Sequence, residues 1–280
     1  MENIDLALRN YLNKKSIMVL FLLLVMTSTV FGQQIVSLNN TYYSFETSIT
    51  FDNGKIKITD LDVMTGKLTI TLGTYTVVEE GKVFYIYVAI DNGKSEKWLA
   101  IYNNDLCYLY KNNSFPFFEG YIGSSRQVEL FFPYAKHADA SSYLIEGATQ
   151  YRPDNLSNVT SSTSLGLPWV EGVPGQGIGE FLLLKTNETK KLFISNGFVS
   201  YDKPYLYNDN SRPKKIRLSV EGKFSFDAEL EDTPNFQKIE LPQTISRTSE
   251  SEDVLKLEIL DVYPGTKYDD TCINFIIFKM

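Results

Sequence analysis

The chain has 280 residues, 43% hydrophobic and 22% charged, which is the composition of a packed globular protein and excludes a disordered one. Its net charge of −7 excludes a whole-protein nucleic-acid binder, because nothing supplies the field that neutralises phosphate. One His and two Cys exclude a His/Cys zinc centre and leave His137 as the sole histidine for any triad chemistry.

The first element reads as an export signal. Lys14 and Lys15 precede an apolar run over residues 17–26, then polar Thr27-Ser28-Thr29 and the compact Val30-Phe31-Gly32, so cleavage is expected before Gln33. The run is about ten residues, short of the roughly 20 that span a bilayer. The alternative is an uncleaved N-terminal anchor. A cleaved chain has no membrane span and is periplasmic, cell-surface or secreted.

Aromatics make up 14%, with 18 Tyr and 18 Phe, which favours strands. From Thr41 to Lys111, short alternating runs are broken by turn signals: Asp52-Asn53-Gly54, Met64-Thr65-Gly66, Asp91-Asn92-Gly93 and Asn103-Asn104-Asp105. This predicts six to eight locally joined strands over residues 33–111, an antiparallel meander that must close or stack to bury its apolar face. A small barrel is expected. The alternation, and the Gly73-Thr74-Tyr75 element before an ascending strand, resemble lipocalin-like barrels. Residues 112–135 read as a linker, with Asn112-Asn113-Ser114, Pro116, Gly120 and Gly123-Ser124-Ser125, and aromatics that pack it onto a domain. His137, at the entrance of the next domain, reads as a surface or capping residue.

Beyond residue 138 strands return with longer loops. Runs at 181–184, 192–195, 216–220, 224–230, 236–241, 255–260 and 273–278 predict about eight strands with no room for crossover helices, so a β-sandwich is expected over 136–280. Cys107 and Cys272 lie far apart in sequence and are expected as two free buried thiols; an oxidising compartment would permit a disulfide.

The loops of this half hold long composite motifs. Trp169-x-Glu171-Gly172-x-x-Gly175-x-Gly177-Ile178-Gly179-Glu180 comes first, and Tyr263-x-Gly265-x-Lys267-x-x-Asp270-Thr271-Cys272-Ile273 closes the chain. In order and spacing the set resembles the NAD glycohydrolase-type glycan-binding domain, a bacterial branch of the discoidin-like, galactose-binding-like sandwiches. The resemblance covers about half the chain. It implies an all-β jelly roll whose loops at one end bind carbohydrate, without catalysis of its own. The family takes its name from a translocation module that accompanies a separate NAD-cleaving domain in a secreted toxin.

The candidate glycan-contact residues are Trp169, Glu171, Tyr205, Tyr207, Asn210 and Arg212. Trp169 offers a flat face and an indole N–H to a sugar ring, or else closes the end of the sandwich core. Glu171 and Arg212 bond sugar hydroxyls, or pair with each other. Tyr201, Tyr205 and Tyr207 form a contact surface, or fold back on their own domain. Asn210 and Asn196 also read as turn residues, and Asn196-Gly197 suits a tight turn. The glycines at 175, 177 and 179 lack dinucleotide spacing and a βαβ setting, so they are read as a sharp turn into the strand at Phe181. Asp154, Asn155, Asp269 and Asp270 are oxygen-rich and leave a structural calcium open; no other cofactor is expected. The expected partner is a glycan or glycoconjugate. A protein partner, as for an adhesin or envelope scaffold, is the alternative. A glycosidase would need a carboxylate pair about 5–9 Å apart, for which Glu171 and Glu180 are the nearest in sequence.

Overall fold

The computed structural model describes residues 38–44, 46–91, 93–111, 120–125, 131–132, 139–160, 167–186, 188–246 and 253–279. The segment 1–32 read as an export signal, most of the segment read as a linker, and His137 lie outside the described residues.

Eight strands close an antiparallel barrel in strict chain order: β1 (Asn40–Tyr43), β2 (Thr47–Asp52), β3 (Lys55–Asp62), β4 (Lys67–Glu80), β5 (Val83–Ile90), β6 (Ser95–Tyr102), β7 (Leu106–Tyr110) and β8 (Gly120–Ser124). The expected meander therefore does close. The turn signals work as the chemistry predicts: Asn53 and Gly54 both take positive φ, and Asp52 pairs directly with Lys55 across a two-residue turn. Two boundaries differ from the sequence reading. Gly73-Thr74-Tyr75 is the middle of one 14-residue strand, β4. β8 lies inside the segment read as a linker and seals the barrel, pairing Ser124 with both Leu106 and Tyr43.

The remaining strands are β9 (Phe131–Phe132), β10 (Asp139–Ala140), β11 (Ile145–Glu146), β12 (Thr149–Gln150), β13 (Trp169–Val170), β14 (Phe181–Leu184), β15 (Thr189–Asn196), β16 (Arg212–Val220), β17 (Phe224–Glu229), β18 (Gln237–Ile245), β19 (Leu255–Tyr263) and β20 (Cys272–Lys279). One sheet runs β10-β14-β19-β16-β17 and the other β13-β20-β15-β18, with β9 also on β20. Alternation sets the inner faces: Leu182, Leu184, Ile216, Leu218, Leu255, Leu257 and Ile259 meet Leu192, Ile194, Ile239, Leu241, Ile273 and Ile276 in one core. The protein is all-β, as expected.

Barrel and sandwich are not separate bodies on a linker. Val83, Tyr85, Leu99, Ile101, Leu106, Tyr108 and Tyr110 leave the outer wall of β5–β7 and join Phe193, Val199, Tyr207, Phe236, Phe275 and Ile277 in a second buried cluster. The alternate residues Phe84, Ile86, Trp98, Ala100, Cys107 and Leu109 are buried too, and by the two-residue period they face the barrel interior. Over residues 83–86, 98–102 and 106–110 these strands are thus covered on both faces, a position that selects near-continuous apolar runs. Polar bonds fringe the contact. The Tyr85 hydroxyl donates to the Tyr201 carbonyl at 2.9 Å and the Tyr201 hydroxyl to that of Lys97 at 3.0 Å; Lys238 meets Asp105 at 2.8 Å.

Candidate functional site

The loops that follow β13, β15 and β19 and those that precede β14, β16 and β20 gather at one end of the sandwich, and hydrogen bonds join them. Glu171 N–H donates to the Thr271 carbonyl, Gly197 N–H to that of Cys272 and Ser211 N–H to that of Asp270. This is the end to which sequence assigns a ligand site.

Trp169 is fully buried in the sandwich core, and its indole N–H donates to the Ser142 carbonyl at 3.0 Å. It closes the core and offers no face to a ligand. Glu171 is also fully buried. One carboxylate oxygen accepts the Val173 N–H at 2.8 Å and the other the Thr271 N–H at 3.1 Å. Burial raises its pKa, against the pull of those two amides. Gly177, at φ +62°, lies over this carboxylate, and a Cβ there would stand 2.4 Å from the Glu171 Cγ. The glycine run thus serves the turn expected of it, with Gly175 and Gly179 also at positive φ. Glu180, the other carboxylate of the glycosidase alternative, accepts the hydroxyls of Ser141 at 2.6 Å and Ser142 at 2.5 Å. Both carboxylates are engaged in holding loops.

Arg212 does not pair with Glu171. It lies 5% exposed and makes a two-pronged bond to Asp232, Nε to Oδ1 at 2.5 Å and Nη2 to Oδ2 at 2.8 Å. Its remaining nitrogen donates to the carbonyls of Tyr207 and Asn210, and the guanidinium sits 4.9 Å from the Tyr207 ring centroid. Tyr207 is fully buried and its hydroxyl donates to Asp232 at 3.2 Å. Lys82 of the barrel reaches the same carboxylate at 2.5 Å. Burial works to raise the pKa of Asp232, and the bonds and charges of Arg212 and Lys82 override it and hold the carboxyl at about 2. Asn210 is buried as the end of a single helical turn, Leu206–Asp209, with its amide donating to the Leu206 carbonyl at 2.8 Å.

Five of the six expected contact residues, Trp169, Glu171, Tyr207, Asn210 and Arg212, are therefore corrected to structural roles. Each carries a polar atom that the interior satisfies, and a group already desolvated and bonded has nothing to offer a sugar. Tyr201 likewise serves the barrel contact. Tyr205 differs: it is 53% exposed. Beside it the loop after β19 presents Lys267 and Tyr268, with the Lys267 ammonium 4.7 Å from the Tyr268 ring centroid. Tyr268 raises the Lys267 pKa most, and Asp209 and Tyr205 are near enough to add to it. Backbone bonds fasten the two loops: Thr266 N–H to the Asn208 carbonyl, Lys267 and Tyr268 N–H to that of Asp209. The Thr266 hydroxyl donates to the Asp209 carboxylate at 3.0 Å. The result is a fixed polar surface bearing two exposed tyrosines, an ammonium and a carboxylate. Lys267 is a specified position of the closing motif and Tyr268 stands beside it, but sequence reasoning weighed only the adjacent Asp269-Asp270 as ligands. Their exposure depends on which of the two loops folds over the other, which local sequence does not encode.

Among the described residues no group of three or more His, Cys, Asp or Glu side chains converges to hold a metal, so Asp154 and Asp269-Asp270 build no acidic calcium cage. Cys107 and Cys272 are both buried and unpaired, as expected. No helix among the described residues is long and apolar enough to cross a membrane.

Residues 133–279 match the family model described as the NAD glycohydrolase translocation F5/8 type C domain. No curated protein matches the chain.

Proposed function

Given that the chain belongs to the NAD glycohydrolase translocation F5/8 type C family, we propose that it is an exported, non-catalytic binding protein whose ligand is a carbohydrate. The observation that carries this reading is the exposed loop surface of Tyr205, Tyr268, Lys267 and Asp209. An exposed phenol ring stacks on the apolar face of a pyranose, and its hydroxyl stays wet. The Lys267 ammonium, over one face of the Tyr268 ring, and the Asp209 carboxylate bond neighbouring hydroxyls by charge-assisted hydrogen bonds. Loops fastened to each other lose little entropy on binding, which suits a weak polar ligand. Export is supported by the basic, apolar and compact segments before Gln33. Nothing in this surface supplies a nucleophile with a base, so the reading is of binding without turnover.

The test is a glycan array with the full chain, followed by titration of any hit against Tyr205→Ala and Tyr268→Ala. The expected result is saturable binding weakened about tenfold or more by each variant, which is about 1.4 kcal/mol, with thermal unfolding unchanged. Binding to no glycan, or binding that neither variant weakens, overturns the proposal and moves the search to protein ligands.

A further inference from the structure

We infer that the outer face of the β3–β4 hairpin is a self-association surface, through which two copies of this chain pair about a two-fold axis. The register matches Lys57 with Leu72, Thr59 with Ile70 and Leu61 with Leu68. Directly opposed residues of an antiparallel pair share a face, so Leu61, Leu68, Ile70 and Leu72 stand together. Ile56 and Tyr75, just beyond the row and of the opposite parity on the same two strands, are buried toward the barrel interior, so by alternation the row stands on the outer face. All four are 40–55% exposed, and the turn that follows β3 adds Val63 at 49% and Met64 at 90%. No comparable apolar row stays open elsewhere on the described barrel wall: β5, β6 and β7 turn theirs to the sandwich.

These six side chains present on the order of 600 Å², the upper end of the largest apolar patch on an ordinary monomer. With the adjoining turn included, two such patches bury up to about 1,200 Å² in total, the lower bound of a specific protein interface. A two-stranded face can meet its own copy under a two-fold operation, the commonest symmetry of soluble oligomers. Charge agrees with that operation. Lys57 lies level with Leu72 at one end of the row, and Glu46, whose carbonyl accepts the Leu61 N–H, lies level with its other end. A two-fold axis at the level of Ile70 brings each Lys57 to the Glu46 end of the other copy. An anionic lipid surface fits worse, because the chain carries net charge −7 and the apolar turn is flanked by Asp60 and Asp62.

Sedimentation velocity on the full chain over a wide concentration range tests the inference. The expected result is a concentration-dependent doubling of mass that is lost in Leu68→Glu and in Ile70→Glu, with far-UV circular dichroism and thermal unfolding of the monomer unchanged. Ile70→Cys provides a second measurement. Cys107 and Cys272 are buried, so a short bis-maleimide would link copies only through the introduced thiol, and a linked dimer is expected. A wild-type chain that stays monomeric throughout overturns the inference. So does association that survives both glutamate variants, which would belong to another surface, the N-terminal apolar run included. Failure of Ile70→Cys to cross-link overturns the two-fold placement even if dimers form. A monomer that instead floats with phosphatidylcholine vesicles, and loses that in Leu68→Glu, assigns the row to lipid and overturns it as well.

Discussion

Tyr108 of the barrel and Phe275 of the sandwich meet edge to face, with ring centroids 5.2 Å apart at 73°. Neither ring reaches solvent to more than 2%. The contact is the centre of a cluster drawn from both halves of the chain, and each half therefore completes the other's packing. Removing the barrel would leave Phe193, Phe275 and Ile277 open on one sheet of the sandwich, a patch that invites aggregation. Tyr108→Ala is expected to lower stability by about 3–5 kcal/mol, the cost of deleting a buried ring. Denaturant unfolding followed by circular dichroism and by tyrosine fluorescence should give one coincident transition in the wild type. Two separate transitions, with Tyr108→Ala moving only one of them, would show that the halves fold independently and would refute the shared core.

The second consequence is electrostatic. Asp232 receives Arg212, Tyr207 and, from the barrel, Lys82, and its carboxyl sits at about 2 instead of the usual 3.8. A carboxyl with a depressed folded-state pKa contributes its stability in full above its unfolded value, and that contribution disappears as pH falls from about 4 toward 2. The shift corresponds to about 1–2 kcal/mol once screening of a partly exposed group is allowed for. Asp232→Asn should cost more than this at pH 7, about 3–5 kcal/mol, because it leaves the buried Arg212 guanidinium without its counter-charge. The difference in unfolding free energy between wild type and Asp232→Asn should narrow between pH 4 and pH 2. A difference that stays constant across that range would mean the carboxylate is not what the arginine needs.

How far the sequence disclosed this architecture depends on what encodes each part. Turns are local, so Asn53-Gly54 and Glu221-Gly222 announce their hairpins, and the sandwich strands at 181–184, 216–220 and 255–260 follow from their two-residue period. The covered wall was legible only as a strand: Leu106-Cys107-Tyr108-Leu109-Tyr110 falls among the runs read as alternating, although it is the unbroken apolar run that burial on both faces selects. β8 was not, because its Gly120, Gly123 and Ser124 read as loop residues, and only closure of the barrel makes them a strand. The binding residues misled for a related reason. Trp, Glu and Arg in polar loops look like ligands, yet Glu171 finds the Thr271 amide 100 residues away and Arg212 finds Asp232 20 residues on, beyond the β16–β17 hairpin. Such pairings are set by tertiary contact, and no spacing rule anticipates them.

The two cysteines supply a simple probe of the described cores. Cys107 faces the barrel interior and Cys272 begins the central strand β20; both are buried, and burial raises the pKa of each thiol. A thiol kept neutral and covered does not react. Ellman's reagent should find no reactive thiol in the native chain at pH 8 and two after denaturation. Fast native labelling of one site would mean that its half opens without the other, against the cooperative unfolding expected of the shared core.

Gly197 and Gly175 separate backbone strain from packing. Both hold positive φ, +77° and +96°, so alanine at either meets the left-handed penalty of about 1 kcal/mol. Only Gly197 is crowded: a Cβ there would lie 2.6 Å from the Tyr207 ring, whereas at Gly175 nothing stands within 4 Å. The ring has no room to retreat, because Arg212 stacks on it and Asp232 holds its hydroxyl. Gly197→Ala should therefore add an overpacking cost of about 1–3 kcal/mol to the backbone term, and Gly175→Ala should not. The extra cost should shrink in the background of Tyr207→Leu, which removes the ring edge and restores space. Equal losses for the two glycine variants, or an undiminished loss in the Tyr207→Leu background, would mean that the ring and its arginine are not fixed as the geometry requires.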